Sequence, residues 1–204
     1  LVRSRGLGDV FKRQLRTFHP EKLILNDICH EMSTCFADLL SDRQVTFIPG
    51  DAEQLSFPSG QDLIVSCSAL QWFVSPELFF KRCNALLSGH GYFAFSTFGK
   101  ENLKEIAAVT GSGLHYYSLE ELKKSLSMHY NIVTAGEERI RLTFATPLDV
   151  LYHLKHTGVT AVCRQAWTKG DLQEFCDKYA KLFSCGNAVT LTYHPLYIIA
   201  RKKP

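Results

Sequence analysis

Three short apolar runs in this 204-residue chain end in groups that could do chemistry. Leu23-Ile24-Leu25-Asn26 runs into Asp27, and a carboxylate there can accept hydrogen bonds from both hydroxyls of a ribose. Val45-Thr46-Phe47-Ile48 is closed by Pro49-Gly50-Asp51-Ala52. An acid at that edge can meet an adenine amino group while a neighbouring backbone N–H meets a ring nitrogen. Asp62-Leu63-Ile64-Val65 leads into Ser66-Cys67-Ser68-Ala69 and then Leu70-Gln71-Trp72. The small residues, Ser68 among them, let a ligand approach closely, and Gln71 and Trp72 would line its reactive end. Each aspartate taken alone suits a turn or a helix cap equally well. Their recurrence at successive strand ends is the stronger signal, because ligands of open α/β sheets bind beyond the carboxyl ends of the strands.

Those ends need a sheet to carry them. Nearly continuous apolar runs read as buried parallel strands, both faces of which are covered by helices. Residues 30–41 space Met32, Cys35, Phe36, Leu39 and Leu40 three and four apart, as an amphipathic helix does. Ser75 and Pro76 open a second helix that stops at Ser88-Gly89, and Gly91 to Phe98 is an aromatic-rich strand. Strands alternating with helices predict a mostly parallel, Rossmann-like α/β sheet. After Phe98 the pattern predicts helices over 101–109 and 118–129, then one long strand from Ile132 to Phe144. Two further helices follow, Pro147 to His156 and Lys169 to Phe183. A last strand, Thr190 to Ala200, closes the chain before the basic Arg201-Lys202-Lys203.

Composition narrows the classes. Apolar residues at 46% and charged residues at 21% fit an ordinary globular domain and exclude a disordered chain. A net charge of +3 gives no strong basic field, so nucleic acid is not an expected partner. No apolar run reaches the ~18–20 residues of a membrane span. Seven cysteines at irregular spacing, with no Cys-x-x-Cys, predict reduced thiols in a cytoplasmic protein rather than a disulfide framework. His153 and His156 lie three apart with Cys163 beyond them, but nothing completes a ligand set, and no metal is expected.

Leu25-Asn26-Asp27-Ile28, Gly50-Asp51-Ala52-Glu53, Asp62 to Ser66 with Leu70-Gln71-Trp72, and Gly91 to Thr97 follow the motif order of the class I S-adenosylmethionine-dependent methyltransferases, which the chain resembles. Ser68-Ala69-Leu70-Gln71-Trp72, His153-Leu154-Lys155-His156-Thr157-Gly158 and Leu191-Thr192-Tyr193-His194 are more particular. They are similar to segments of the malonyl-[acyl-carrier protein] O-methyltransferases of biotin synthesis. The resemblance implies S-adenosylmethionine as methyl donor, bound through Gly6, Gly8, Asp27, Ile28, Asp51, Ala52 and Ser68. It implies an acceptor pocket that includes Gln71, Trp72 and Tyr193, with Lys155 and His194 on the substrate side. The acceptor would be a malonyl-acyl carrier protein or malonyl-CoA, and the enzyme a monomer. A carboxylate acceptor has a reference pKa near ~4 and is already ionised, so no general base is required.

The family's glycine loop follows a first strand, about 20 residues before the ribose-binding acid. Gly6-Leu7-Gly8 stands at that distance from Asp27, yet only Leu1 to Arg5 precede it. The chain is therefore expected to be truncated at its N-terminus, with the first strand missing. Residues 1–14 are read either as a remnant of the loop or as foreign sequence. Residues 15–146 would form the methyltransferase core, 147–188 a helical substrate-side insertion before the last strand, and 189–204 the last, antiparallel strand with its basic tail. Two alternatives stay open: a methyltransferase for another small acceptor, and an inactive fragment. A nicotinamide-dependent oxidoreductase is the weaker rival, because Phe11 stands where the third glycine of its phosphate-binding turn belongs.

Overall fold

The computed structural model describes residue 17 and residues 19–35, 37–157 and 167–204. These fall into two compact units, one drawn from Leu1–Ser56 with Leu154–Thr160, the other from Phe57–His153 with Ala161–Pro204.

In the first unit β1 (Leu23–Asp27) pairs in parallel with β2 (Val45–Pro49), in register from Leu23 opposite Val45 to Asp27 opposite Pro49. Two short helices connect them, α1 (Met32–Cys35) and α2 (Ala37–Leu40), as parallel pairing requires a crossover. Leu25, Met32, Leu39 and Val45 form the buried core with Leu40 packed against it, whereas Cys35 is exposed and Phe36 lies outside the described residues, so the spacing within 30–41 turns only part of its apolar set inward. The carboxyl ends are fastened by Asn26, whose Nδ2 donates to the Ile48 and Gly50 carbonyls at 2.8 and 3.0 Å. Gly50 has φ +132°, and a Cβ there would lie 3.2 Å from Leu55 Cδ1, so the turn that presents Asp51 needs glycine.

The second unit is built on a four-stranded sheet in the order β3 (Gln61–Cys67), β4 (Leu87–Phe98), β9 (Pro195–Lys202), β5 (Tyr130–Glu137). β3 and β4 are parallel, while β9 runs antiparallel to both β4 and β5, matching the expected antiparallel last strand. Among the described residues β1 has only β2 as a neighbour and β3 only β4. Between β3 and β4 lie a 3-10 turn at Leu70–Trp72 and α3 (Pro76–Leu86), with Pro76 at the start of the helix where its missing N–H costs nothing. Alternation along β4 buries Phe93, Phe95 and Thr97 and leaves Tyr92 outside. Phe79, Phe80, Phe93, Phe95 and Tyr130 stack into one aromatic core, with ring centroids 5.0 to 6.2 Å apart. The buried Tyr130 hydroxyl donates to the Phe80 carbonyl at 2.8 Å.

Two helices follow β4: α4 (Lys104–Thr110) and α5 (Leu119–Leu126). α5 opens with a reciprocal cap in which Ser118 Oγ accepts from the Glu121 amide and Glu121 accepts from the Ser118 amide. A second sheet has the order β6 (Ile140–Phe144), β8 (Ala188–Tyr193), β7 (Ser184–Cys185). Helices α6 (Pro147–His156) and α7 (Lys169–Phe183) separate β6 from β7, and α7 opens with the same cap, Thr168 with Asp171.

The two long strands expected at Ile132–Phe144 and Thr190–Ala200 are each divided, and the divisions face each other. β5 continues as β6 after the Glu138-Arg139 corner; β8 continues as β9 after His194, so both strands change sheets at one level. Alternation alone cannot reveal such corners. Contacts distant in sequence set the corners: His194 turns its ring inward to the Glu101 amide and Glu137, and Arg139 is drawn toward Glu101, while Pro195 has no amide to offer a ladder.

Candidate functional site

On the first unit the carboxyl edge of β1 and β2 presents two acids. Asp27 Oδ1 accepts the Cys29 amide at 2.8 Å, and Asp51 Oδ1 accepts the Glu53 amide at 2.9 Å. Both are turns in which the side chain mimics a backbone acceptor, and the Gln54 and Leu55 amides close the Asp51 turn onto its carbonyl. Among the described residues the second carboxylate oxygen of each has no protein partner. The Gly50 amide donates to the Asp27 carbonyl at 2.9 Å, which ties the two acid-bearing turns together. Ile28 is 68% exposed beside Asp27, and Ala52 adjoins Asp51. Paired acceptors flanked by an open apolar side chain suit a nucleoside: hydroxyls and an exocyclic amine for the carboxylates, a base face for Ile28. Gly6 and Gly8 lie outside the described residues, as does Cys163.

On the second unit the carboxyl edge of β3 and β4 is a hydrogen-bonded knot. Ser68 adopts φ +50°, rare for a residue with a Cβ, and its amide donates to the Ser96 carbonyl at 2.9 Å. Gln71 Nε2 donates to the Ser68 carbonyl, and Gln71 Oε1 accepts Thr97 Oγ1 at 3.1 Å. The amide is thereby oriented at both ends. A cavity of about 10 Å³ opens here, lined by Gln71, Thr97, Phe98, His115, Tyr116 and Tyr117, with Leu70, Pro76 and Leu122 behind them. Trp72, 37% exposed, is not among its walls. A larger hollow of about 290 Å³, lined by Trp167, Asp171, Glu174 and Lys178 among others, holds none of the expected residues. Its two carboxylates suit an anionic acceptor poorly.

The loop behind this edge is clamped to the end of β8. The Gly99 amide donates to the His194 carbonyl at 2.7 Å and the Leu103 amide to the Thr192 carbonyl at 2.8 Å. The His194 amide donates to Asn102 Oδ1, and Asn102 Nδ2 donates to the Tyr116 hydroxyl at 3.0 Å. Glu105, 2% exposed, accepts the Thr192 amide at 3.0 Å and the Thr192 hydroxyl at 2.6 Å. His194, 3% exposed, accepts the Glu101 amide on Nδ1, so Nε2 carries the proton it shares with Glu137 at 3.1 Å. That bond and Arg139 hold the Glu137 carboxyl below the usual range, and Arg139 with Lys104 lowers Glu101 to about 2.

The residues expected to serve the site thus fall in three places. Asp27, Ile28, Asp51 and Ala52 share the edge of the first unit. Ser68 and Gln71 share that of the second. Tyr193 lies on the other side of the β8 end from the clamp: its hydroxyl is 3.0 Å from His153 Nε2 and its ring 6.2 Å from Phe98. Burial holds the His153 imidazole below its ordinary pKa. His194 has both ring nitrogens engaged within the protein, and Lys155 is exposed on α6 with no bonded partner among the described residues. Sequence reasoning missed Asn102, Glu105 and the His115-Tyr116-Tyr117 run. An aromatic run immediately before a capping serine was the available signal.

A family model for the methyltransferase domain matches residues 5–95. The malonyl-[acyl-carrier protein] O-methyltransferase of Bacteroides thetaiotaomicron is 55% identical over 208 residues, covering 97% of this chain and 80% of that protein. A Bacillus halodurans protein assigned as a methyltransferase superposes with TM-score 0.69 at 16% identity, over 98% of this chain and 90% of its own. The N-methyltransferase NodS of Bradyrhizobium japonicum, solved with S-adenosyl-L-homocysteine, gives TM-score 0.54 at 13% identity, over 97% of this chain and 74% of its own. At such identities the structural likenesses establish the fold.

Proposed function

The chain belongs to the malonyl-[acyl-carrier protein] O-methyltransferase family, and from that premise we propose that it methylates the free carboxylate of a malonyl thioester on acyl carrier protein, an early step of biotin synthesis. One observation carries the reading: the 55% identity runs over 97% of this chain and therefore includes both candidate edges. Bound S-adenosylmethionine supplies an electrophilic methyl carbon on a sulfonium. Asp27 and Asp51 offer the acceptors that would hold its ribose hydroxyls and adenine amine, each with one carboxylate oxygen already fixed by a backbone amide.

The acceptor carboxylate is ionised at neutral pH and needs no proton removed. The chain's own residues therefore work by orientation and exclusion of water. In this reading Ser68, Gln71 and Thr97, which hydrogen-bond to one another, would serve as the floor of the acceptor pocket and Phe98 with Tyr193 as an aromatic wall, and Lys155 would supply a cation for the malonyl carboxylate or the carrier's phosphopantetheine phosphate. Among the described residues no group of three or more His, Cys, Asp and Glu could hold a metal ion. The described cysteines are all free.

The test is transfer of a labelled methyl group by the purified chain to malonyl-carrier, malonyl-CoA and acetyl-CoA. Label on both malonyl thioesters and none on the acetyl thioester is expected. Label on an unrelated acid, with none on malonyl, would overturn the reading in favour of another acceptor.

A further inference from the structure

We infer that Tyr117, with His115 beside it, recognises the acceptor's carboxylate in the cavity beyond β3 and β4, a step that rests on the malonyl reading above. The polar groups of that cavity are largely committed to one another: Gln71 to Ser68 and Thr97, Tyr116 to Asn102. The Tyr117 hydroxyl and the His115 ring nitrogens have no hydrogen-bond partner among the described residues. Their rings meet edge to face, centroids 5.0 Å apart at 88°.

The segment that carries them is held on both sides. Tyr116 is fixed through Asn102 to His194, and Ser118 begins the reciprocal cap of α5. Two donors on a fixed backbone, Tyr117 half-buried and His115 exposed, in a cavity lined by no acid, suit an anion. The roughly 10 Å³ available admits one oxygen-sized group rather than the whole acceptor. A donor placed on one carboxylate oxygen fixes the plane of the group and leaves the lone pairs of the other for attack. The new O–C bond forms as the C–S bond breaks, the electron pair leaves on sulfur, and no proton moves. Neither Tyr117 nor His115 acts as acid or base; both position and select.

The experiment compares Tyr117→Phe, His115→Ala and the double variant with the unaltered chain. Calorimetry measures affinity for malonyl-pantetheine and acetyl-pantetheine, both with S-adenosylhomocysteine present. Tyr117→Phe keeps the ring, and an unchanged affinity for S-adenosylhomocysteine reports an intact fold. The expected result is a loss of malonyl affinity of about tenfold or more, with acetyl affinity unchanged. Full retention of the malonyl preference in the double variant overturns the inference. An equal loss for both thioesters assigns these residues to packing and overturns it too. An unaltered chain without malonyl preference instead refutes the reading of function, and the inference with it.

Discussion

Replacing Gly99 with alanine adds one methyl group where the His194 imidazole already stands. A Cβ on Gly99 would lie 2.7 Å from both Cε1 and Nδ1 of that ring, against an optimum near ~3.5–4.0 Å for non-bonded heavy atoms. The ring cannot step aside, because the Glu101 amide and Glu137 hold it at 3.1 Å on either side. Overpacking of this kind costs about 1–3 kcal/mol. The φ of Gly99 lies outside the left-handed range, so alanine carries no backbone penalty and should recover about 0.4–1 kcal/mol from the unfolded chain. Gly99→Ala is therefore expected to destabilise by about 1–2 kcal/mol net. In a His194→Ala background the obstruction is gone, and the same substitution should be neutral or stabilising. The double-mutant cycle should return a coupling of about 1–3 kcal/mol. Both tryptophans, Trp72 and Trp167, lie in the second unit, so urea unfolding followed by their fluorescence reports the unit that contains the contact. An equal cost for Gly99→Ala in both backgrounds would refute the claim that the imidazole is what requires glycine there.

Asp27→Ala should weaken S-adenosylhomocysteine binding by about 1.5–3 kcal/mol, the range for hydrogen bonds to a charged group; calorimetry showing unchanged affinity would remove Asp27 from the cofactor site. Thr192→Val deletes the 2.6 Å hydroxyl bond to the buried Glu105 carboxylate and should cost about 1.5–3 kcal/mol, while Thr192→Ser retains most of the stability; equal unfolding midpoints for the two variants would contradict this. Glu101 and Glu121 are each held at about 2, below their ordinary 4.5, by lysine and arginine partners and a serine cap. A lowered folded-state pKa stabilises above the unfolded value, so stability from these groups is full above about 4.5 and fades as the pH falls toward about 2. Acid unfolding of Glu101→Gln should accordingly depend less steeply on pH across that window, and an unaltered slope would show the pairs to be idle. Ser68→Gly relieves a φ of +50° and should raise stability by about 1 kcal/mol; thermal unfolding no higher than that of the unaltered chain would show that Ser68 is not strained.

The edges of the site were legible because they follow from runs and punctuation. An apolar run ending in an acid marks both Asp27 and Asp51, and Pro49-Gly50 announces the turn between strand and acid. Ser118 with Glu121 announces α5 for the same local reason. The clamp was not legible. Glu105 sits in a segment with ordinary helical spacing, and nothing in its neighbourhood signals a partner 87 residues away. The divided strands escaped notice because a two-residue period continues across a corner where the chain changes sheets. Such corners are set by long-range pairs, here His194 with Glu137, which a single sequence does not announce.

The same period explains how Leu191-Thr192-Tyr193-His194 can serve two purposes at once. Successive side chains of an extended segment point to opposite sides. Thr192 and His194 therefore both face the loop after β4, where one binds Glu105 and the other receives the Glu101 amide. Tyr193 faces the other way, toward His153 and Phe98. Its neighbours fix the height and tilt of the strand end, and the tyrosine is held toward His153 and Phe98. Damage to either side should thus be separable. Tyr193→Phe leaves the clamp whole and should alter turnover on malonyl thioesters while the unfolding midpoint holds, whereas His194→Ala removes the ring's bonds to the Glu101 amide and Glu137 and should lower the midpoint. Parallel losses of stability in the two variants would mean that the segment acts as one packed block, and that the alternation does not divide its work.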